Sequence, residues 1–244
     1  MLITIVVPAF DEQDNIAALA GEIESAFASV SYPWEVLWVD DGSRDQTLER
    51  IRTLPSPHRF IALGANCGQS AALFAGFHDA RGEWIGTLDA DGQNDPTDLP
   101  RQLTEALNRK ADMVNGIRVN RRDSWIKRMS SKLANAYRRR RLKDGVTDVG
   151  CSTRVVRRSM LTDLPFFHGM HRYLPALVAA QGGVIAEIPV NHRPRNTGVS
   201  KYGVQNRLWV GLEDVRGVQW LMSRQRKWEI VERTDVSNPK GASA

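Results

Sequence analysis

The 244-residue chain predicts an α/β fold, with a mostly parallel sheet covered by helices on both faces. Three observations carry this prediction. Short apolar runs alternate with helix-periodic segments through the first half of the chain. Three of those runs end in acidic, turn-forming clusters, at residues 8–12, 40–43 and 89–93. In open sheets of this class, ligands bind beyond the carboxyl ends of the strands, which is where the clusters fall.

The elements follow in order. Ile3 to Val7 reads as a strand and Asn15 to Phe27 as a helix. Trp34 to Val39 reads as a strand and Thr47 to Leu54 as a helix. Phe60 to Leu63 is a short strand, followed by a helix from Ser70 to Ala80. Trp84 to Leu88 is a strand, Leu99 to Asn108 a helix, and Asp112 to Asn115 a further strand. After Gly116 the character changes. Arg118 to Lys143 is strongly basic, with Asp123 as its only acid, and Trp125, Met129, Leu133 and Tyr137 recur on one helix face. Gly169 to Ala180 is a second helical pattern, Val184 to Val190 a strand, and His192 to Tyr202 a basic loop. Gln205 to Met222 reads as an amphipathic helix, and the polar stretch from Lys227 to Ala244 as a mobile tail.

Composition bounds the function classes. Hydrophobic residues make up 42% and charged residues 25%, which is globular. The net charge of +5 favours an anionic partner and leaves nucleotide, nucleic acid and anionic membrane open. Cys67 and Cys151 have no metal-ligand spacing and read as reduced thiols of a cytosolic protein. The N-terminus starts directly on a strand, without the basic region or cleavage site of a signal peptide. No stretch approaches the roughly 18 apolar residues that would span a bilayer. His78, His168, His171 and His192 form no ligand grouping and read as structural, and His58 as a loop surface residue.

The most informative segment is Thr87 to Pro96. Asp89 and Asp91 are spaced i, i+2 at a strand end, so an extended backbone points both carboxylates the same way. That pair is a hard-oxygen site suited to Mg²⁺ or Mn²⁺. Gly92 permits a sharp turn and Pro96 can open the next helix. The chemistry suggested is a metal holding a diphosphate at the mouth of the sheet. At the first strand end, Pro8-Ala-Phe-Asp-Glu12, backbone can approach a base closely and a carboxylate can accept base N–H groups. At the second, Asp40-Asp-Gly-Ser43 can hold a nucleobase or ribose. One such cluster would be an ordinary turn, and Asp41 and Ser43 would then be simple caps. Three in one chain are harder to dismiss.

These residues resemble the family 2 glycosyltransferases of the GT-A fold. The resemblance is carried by Val6-Val-Pro-Ala-Phe-Asp-Glu12, by Trp38-Val-Asp-Asp-Gly-Ser43 with Asp45 and Thr47, by Asn66-Cys-Gly68 and by Leu88-Asp-Ala-Asp-Gly-Gln-Asn-Asp-Pro96. Gly116-Ile-Arg118, Asp148-Val-Gly-Cys151, His171-Arg-Tyr-Leu-Pro175 and His192-Arg-Pro-Arg-Asn-Thr-Gly-Val-Ser-Lys-Tyr-Gly203 resemble the subgroup that makes polyprenyl-phosphate sugars, the dolichyl-phosphate mannose synthase type. The resemblance covers about residues 2 to 222.

It implies that Pro8, Phe10 and Glu12 contact the nucleotide, that Asp41 contacts the base, and that Asp89, Asp91 and Gln93 hold the metal and diphosphate. Many relatives have Tyr at the position of Phe10, so a hydroxyl contact is missing here. A lipid phosphate beside a nucleotide diphosphate needs cationic forks. Arg118, Lys127, Arg128, Arg193 and Arg195 are the candidates, with Ser131 as a neutral donor. By resemblance Arg118, Ser131 and Arg193 are best placed, and Asp91, Arg118 and Arg193 are the expected catalytic residues. Arg138 to Arg141 reads as a solvated or membrane-facing helix end.

The implied reaction inverts the anomeric centre, moving a sugar from a UDP- or GDP-linked donor to polyprenyl phosphate. A phosphate acceptor is already anionic, so no general base is required. The expected organisation is a GT-A catalytic domain over 1–203, divided near 115 into nucleotide and acceptor halves, then an amphipathic helix over 204–226 and a tail over 227–244. The expected location is peripheral, on the cytoplasmic face of the membrane. Many relatives add two transmembrane helices, which shifts the membrane role here to amphipathic helices or a separate small membrane protein; an oligomer stays open. The nearest rival is a family 2 enzyme acting on a hydroxyl of lipid A or a polysaccharide. A nucleotidyltransferase would also use paired carboxylates. A nucleic-acid-binding protein would leave the acidic strand tips unexplained, so no nucleic-acid partner is expected.

Overall fold

The computed structural model describes residues 1–119, 136–193, 207–224 and 232. The elements are β1 (Ile3–Ala9), α1 (Ile16–Phe27), β2 (Trp34–Asp40), α2 (Thr47–Arg52), β3 (His58–Ala62), α3 (Gln69–Asp79), β4 (Trp84–Thr87), α4 (Asp98–Arg109) and β5 (Met113–Arg118). After these come α5 (helical residues 136–142), β6 (Arg154–Arg157), α6 (Leu174–Ala180), β7 (Ile185–Val190) and α7 (Arg207–Arg224). The strands form one seven-stranded sheet in the order β3-β2-β1-β4-β6-β5-β7.

β1 pairs in parallel with β2 and β4, β2 with β3, and β5 with β7, while β6 runs antiparallel between β4 and β5. Helices cover both faces, which is why β1 and β2 are apolar at nearly every position. Ile3, Ile5 and Val7 pack on the side that holds Ile16, Leu19, Ile23 and Phe27 of α1 and Leu99 and Leu103 of α4. Val6, Leu37 and Val39 pack on the opposite side with Ala72, Leu73 and Phe77 of α3 and Leu174 and Leu177 of α6. The period-two alternation of strand side chains assigns the residues to these two layers.

β6 has no counterpart in the sequence reading. It is four residues long, and arginines at both ends break its apolar run. Its antiparallel register sets Arg154 opposite Thr87, so the start of β6 lies beside the carboxyl end of β4. The expected helix over 169–180 is instead a 3₁₀ turn, Met170–Arg172, followed by α6. Gly169 at φ +87° and Pro175 near the start of α6 account for the break.

Two further expectations are corrected. His58 is not a loop surface residue: it opens β3, and its ring is 1% exposed. Trp38 Nε1 donates to His58 Nδ1 at 3.0 Å, and His58 Nε2 lies 3.0 Å from Glu24. Arg138 is not solvated with its neighbours. It is buried, 3.5 Å from the Asp144 carboxylate, and donates to the Val146 carbonyl at 2.5 Å. Arg139, Arg140 and Arg141 are exposed.

In α7, Val215 and Val218 are buried against the α3 and α6 layer, with Leu221 and Met222 beside them. The sequence leaves open whether the apolar stripe of this helix meets membrane or protein, and these four residues of it pack on the domain. The outward face carries Glu213, Arg216, Trp220 and Arg224, and the Arg224 guanidinium sits 5.9 Å from the Trp220 ring centroid. No helix among the described residues is long and apolar enough to cross a membrane. The expected helix over 125–141 lies outside the described residues up to 135, as does the basic loop beyond 193.

Gly42 sits at φ +69°, and a Cβ built there would lie 2.5 Å from the Ala65 carbonyl carbon. The turn after β2 thus lets the 64–66 backbone close over it. Gly42→Ala is expected to lower unfolding stability by about 2 kcal/mol or more, from the left-handed backbone and the overlap together. Urea melts measure this, and an unchanged midpoint would contradict the close approach.

Candidate active site

β1 leads outward through β2 to β3, and the chain then returns to place β4 on the other side of β1. The strand order reverses at that point, where connecting segments leave in opposite directions and open a crevice. A cleft of about 290 Å³ lies there. Pro8, Ala9, Phe10 and Glu12 line it from the end of β1, and Asp41 from beyond β2. Asn66, Gly68, Gln69 and Ala72 line it from the start of α3, and Asp89, Ala90 and Asp91 from beyond β4. The three acidic strand ends meet at one opening.

The first two strand ends are laced together. The Asp11 N–H donates to Ser43 Oγ at 3.0 Å, and the Arg44 N–H to Asp11 Oδ1 at 2.8 Å. The Glu12 N–H donates to Thr47 Oγ1 at 2.8 Å, and Asn15 Nδ2 to Glu12 Oε2 at 2.6 Å. Asp41, 3% exposed, accepts the backbone N–H groups of Cys67 and Gly68, each at 2.8 Å. The Asp41 carboxylate therefore fixes the loop that opens α3 as well as lining the cleft.

At the third strand end, Asp89 Oδ1 accepts Gln69 Nε2 at 2.7 Å. Burial pushes the Asp89 carboxyl up to about 6, and the nearby charge of Asp91 pushes the same way. A hydrogen bond from Ser152 and the charges of Arg154 and Arg118 oppose the rise. Two neighbouring carboxylates at one strand end suit a divalent cation, which relieves the repulsion between them. Among the described residues no group of three or more His, Cys, Asp and Glu forms a protein cage for a metal. Mg²⁺ and Mn²⁺ do not need one where substrate phosphate supplies the remaining oxygens. Asp89 and Asp91 fit such an ion. Gln93 adjoins them, its N–H on Asp91 Oδ1 at 3.1 Å and its side-chain amide on the Arg193 carbonyl at 3.3 Å.

Arg118 ends β5. Asp148 grips it as a fork, with Nε and Nη2 each 2.8 Å from a carboxylate oxygen. A Cβ at Gly150 would come within 2.6 Å of Arg118 Nη2, so the bare glycine makes room for the guanidinium. Arg193 follows β7. Its guanidinium pairs with Glu22 at 2.6 Å and Asp95 at 3.3 Å. Lys127, Arg128, Ser131 and Arg195 lie outside the described residues.

Several site residues escaped the sequence reading. Arg154 is 4% exposed and donates to the His171 carbonyl at 2.8 Å and the Val149 carbonyl at 3.3 Å. Ser152 lies near Asp89 at the same strand entry, and its Oγ accepts the Asn94 side-chain amide at 2.7 Å. Gln69 braces Asp89 from the first turn of α3. None belongs to a local pattern, because the sheet brings them in from 20 to 65 positions away. His171, read as structural, holds Ser70 Oγ at 2.7 Å through Nδ1. Ser70 Oγ accepts the Gly169 N–H at 2.9 Å, so its own proton is available to the imidazole. Burial pushes His171 down to about 3, with Arg172 and Arg154 adding to the effect, and the ring stays neutral at neutral pH.

The family model Glycosyl transferase family 2 matches residues 4–164. The dodecaprenyl-phosphate galacturonate synthase of Rhizobium johnstonii is 36% identical over 227 residues, covering 90% of this chain and 67% of that protein. The undecaprenyl-phosphate 4-deoxy-4-formamido-L-arabinose transferase of Edwardsiella ictaluri is 36% identical over 206 residues, covering 83% of this chain and 63% of that protein. The chain thus spans about two thirds, or slightly less, of the length of these curated relatives. Among solved structures, glucosyl-3-phosphoglycerate synthase from Mycobacterium tuberculosis superposes with a TM-score of 0.66 at 18% identity. That match covers 91% of this chain and 79% of the other, which was crystallised with Mn²⁺, uridine diphosphate and glucosyl-3-phosphoglycerate. A crystal of the same enzyme with Mg²⁺ and uridine diphosphate gives a TM-score of 0.67 at 20% identity, covering 88% of this chain and 79% of the other. At these identities the likeness establishes the GT-A fold.

The raised Asp89 carboxyl gives a pH test. The folded carboxyl holds its proton more tightly than an unfolded one. Without a cation, Asp89 therefore costs stability as pH rises from 3.8 to about 6. A cation at Asp89 must displace that proton. Mn²⁺ affinity, followed by the electron paramagnetic resonance of free Mn²⁺, is expected to weaken about tenfold between pH 7 and pH 5. Asp89→Asn should flatten the profile. A flat profile in the unaltered chain would remove Asp89 from the cation site.

Proposed function

We propose that this chain, which belongs to glycosyl transferase family 2, moves a sugar from a nucleotide-sugar donor to polyprenyl phosphate, inverting the anomeric centre. The observation that carries the proposal is the convergence of three acidic strand ends on one cleft, with Arg118 and Arg154 near enough to Asp89 to offset part of its rise. The names of the relatives support the acceptor class, since both act on a prenyl phosphate.

The donor nucleotide would lie along Pro8, Phe10 and Glu12, with its base toward Asp41. UDP and GDP are both candidates. Asp89 and Asp91, with Gln93 alongside, would hold Mg²⁺ or Mn²⁺. When bound, that ion supplies positive charge for the diphosphate leaving group. Gln69 holds Asp89 in one setting, so little reorganisation is needed at the moment of reaction.

The acceptor phosphate would be held by Arg118 and Arg193, with Lys127, Arg128, Ser131 and Arg195 as further contacts. Asp148 orients the Arg118 fork. Its attacking oxygen is already anionic at neutral pH, so aiming and screening replace proton abstraction. That oxygen forms the new bond to the anomeric carbon as the bond to the nucleoside diphosphate breaks. Among the carboxylates lining the cleft, Asp41 and Glu12 each hold neighbouring N–H groups, which favours an anionic acceptor over a hydroxyl needing a base.

A lipid acceptor calls for a membrane surface, taken here to be the cytoplasmic leaflet, reached peripherally. The outward Arg216, Trp220 and Arg224 of α7 have interfacial composition. A separate small membrane protein is the alternative route. In this division residues 1–203 are the catalytic domain, 204–226 the accessory helix and 227–244 a tail.

The test is to incubate the chain with polyprenyl phosphate, Mg²⁺ and a panel of UDP- and GDP-sugars. The expected products are a polyprenyl-phosphate sugar and a nucleoside diphosphate. Asp91→Asn should lower turnover by about two orders of magnitude while leaving the fold intact. Arg193→Ala should lower transfer by about tenfold or more with nucleotide affinity nearly unchanged. Transfer only to a lipid A or polysaccharide hydroxyl would favour the rival acceptor. Diphosphate release from a nucleoside triphosphate would instead indicate nucleotidyl transfer.

A further inference from the structure

We infer that Glu187 and Asn115 are positioning residues for Arg118. Together they seat residues 147–148, and through Asp148 they hold the Arg118 guanidinium in the setting that receives the acceptor phosphate. The inference rests on the proposed reaction only for the identity of that anion.

β5 and β7 are parallel neighbours, and their register sets Asn115 opposite Glu187. Asn115 is fully buried and Glu187 partly so. Neither lines the cleft. Residues 147 and 148 lie across this pair. Both oxygens of the Glu187 carboxylate accept the Thr147 N–H, each at 3.0 Å, and Oε2 also accepts Thr147 Oγ1 at 2.9 Å. The Asp148 N–H reaches Glu187 Oε1 at 3.5 Å. Asn115 Nδ2 donates to the Asp148 carbonyl at 2.9 Å and to Glu187 Oε1 at 3.3 Å. A carboxylate accepts and an amide nitrogen donates, so the two side chains match the N–H groups and the carbonyl of one short segment.

Asp148 carries that seat to the arginine. Its Oδ2 accepts the Arg118 N–H at 3.2 Å and Nε at 2.8 Å, and its Oδ1 accepts Nη2 at 2.8 Å. One carboxylate therefore fixes both the backbone and the guanidinium of residue 118. Arg118 also follows Asn115 by three residues on β5, so the strand and the 147–148 segment hold it from two directions. The Arg118 and Asp148 side chains are 15% and 12% exposed. A bidentate pair with so little access to water keeps the guanidinium in one orientation. An arginine that swings freely must lose rotamer freedom to grip an anion, and that loss opposes binding. Here the fold has already imposed the order, provided that Asp148 stays seated on Glu187 and Asn115.

The experiment follows the solvent exchange of the Arg118 Nε–H by NMR of the full chain, with the signal assigned by its absence from Arg118→Ala. Calorimetry then measures farnesyl phosphate, a short prenyl phosphate, and separately Mn²⁺ with UDP or GDP, whichever binds. In Glu187→Ala the Arg118 Nε–H is expected to exchange about tenfold or more faster. Farnesyl phosphate should bind about fivefold or more weaker, with nucleotide affinity within about twofold of its starting value. The Arg157 Nε–H, 3.1 Å from Asp112 at the far end of β6, should keep its exchange rate. Thr147→Val removes only the hydroxyl bond of an exposed residue, and should move exchange and acceptor affinity the same way by about twofold or more. It carries the test if Glu187→Ala does not fold. An Arg118 Nε–H that is unchanged in the variants overturns the inference and leaves the proposed reaction standing. So does faster exchange of Arg118 and Arg157 together, which would mark a general loosening. Faster exchange of Arg118 with acceptor affinity intact also overturns it. Farnesyl phosphate that binds Arg118→Ala as tightly as the unaltered chain removes the acceptor reading of Arg118, and this inference with it.

Discussion

Asp89 and Asp91 place two half-buried negative charges close together just beyond a strand, and the surrounding packing answers that repulsion. Gln69 donates to Asp89, Ser152 lies close enough to favour its ionised form, and Arg154 and Arg118 bring positive charge toward it. These partners come from α3, from the approach to β6 and from β5, so charge balance at one strand tip draws on both halves of the sheet. Arg154 also fastens the carbonyls of Val149, Cys151 and His171, which fixes the loop on which the 3₁₀ turn is built. The carboxyl nonetheless stays raised to about 6. Burial is the larger cause and the charge of Asp91 the smaller one; the protein groups offset only part of the rise, and a divalent ion held by these carboxylates would offset more.

Topology gathers the acidic strand ends at one edge of the sheet. Parallel strands β1, β2 and β4 deliver three turns to the same edge, where a nucleotide can lie across the switch point. The antiparallel β6 brings its beginning, rather than its end, to that edge, and with it Ser152 and Arg154. β5 and β7 run parallel to each other, so Arg118 and residues 191–193 emerge together. The strands added beyond β4 therefore carry Arg118, Arg154 and Arg193, while the cleft itself is lined from the ends of β1, β2 and β4 and the start of α3. α7 closes the α3 layer with Val215 and Val218 and leaves Trp220 outward, so packing and surface contact use different faces of one helix.

The first half of the fold was legible because β1, β2 and β4 are largely apolar runs ended by turn clusters, whereas the His58-Arg59 start of β3 hid its first two residues. β6 was not, since it is short and charged at both ends, and its pairing spans more than 60 residues. The carboxylates of the site were legible because Asp89 and Asp91 are two positions apart on one strand end. Their supports were not: Gln69, Ser152 and Arg154 become neighbours only when α3 and β6 are in place. Arg118 and Arg193 could be read as cations, but not the partners that hold them, Asp148 from a later loop and Glu22 from α1. His58 looked like a loop residue because of the prolines at 55 and 57, yet its contact with Trp38 carries it into β3. The apolar stripe of α7 was visible in the sequence, whereas the surface that covers it is formed by α3 and α6.

The central claim is that a divalent ion and a nucleoside diphosphate meet at the carboxyl end of β4. Anomalous diffraction from crystals grown with Mn²⁺ and UDP or GDP tests it most directly. The expected result is one manganese peak in contact with Asp91, with the diphosphate beside it and the base toward Asp41. A bound nucleotide whose manganese lies away from Asp89 and Asp91, or a nucleotide seated outside this cleft, would contradict it.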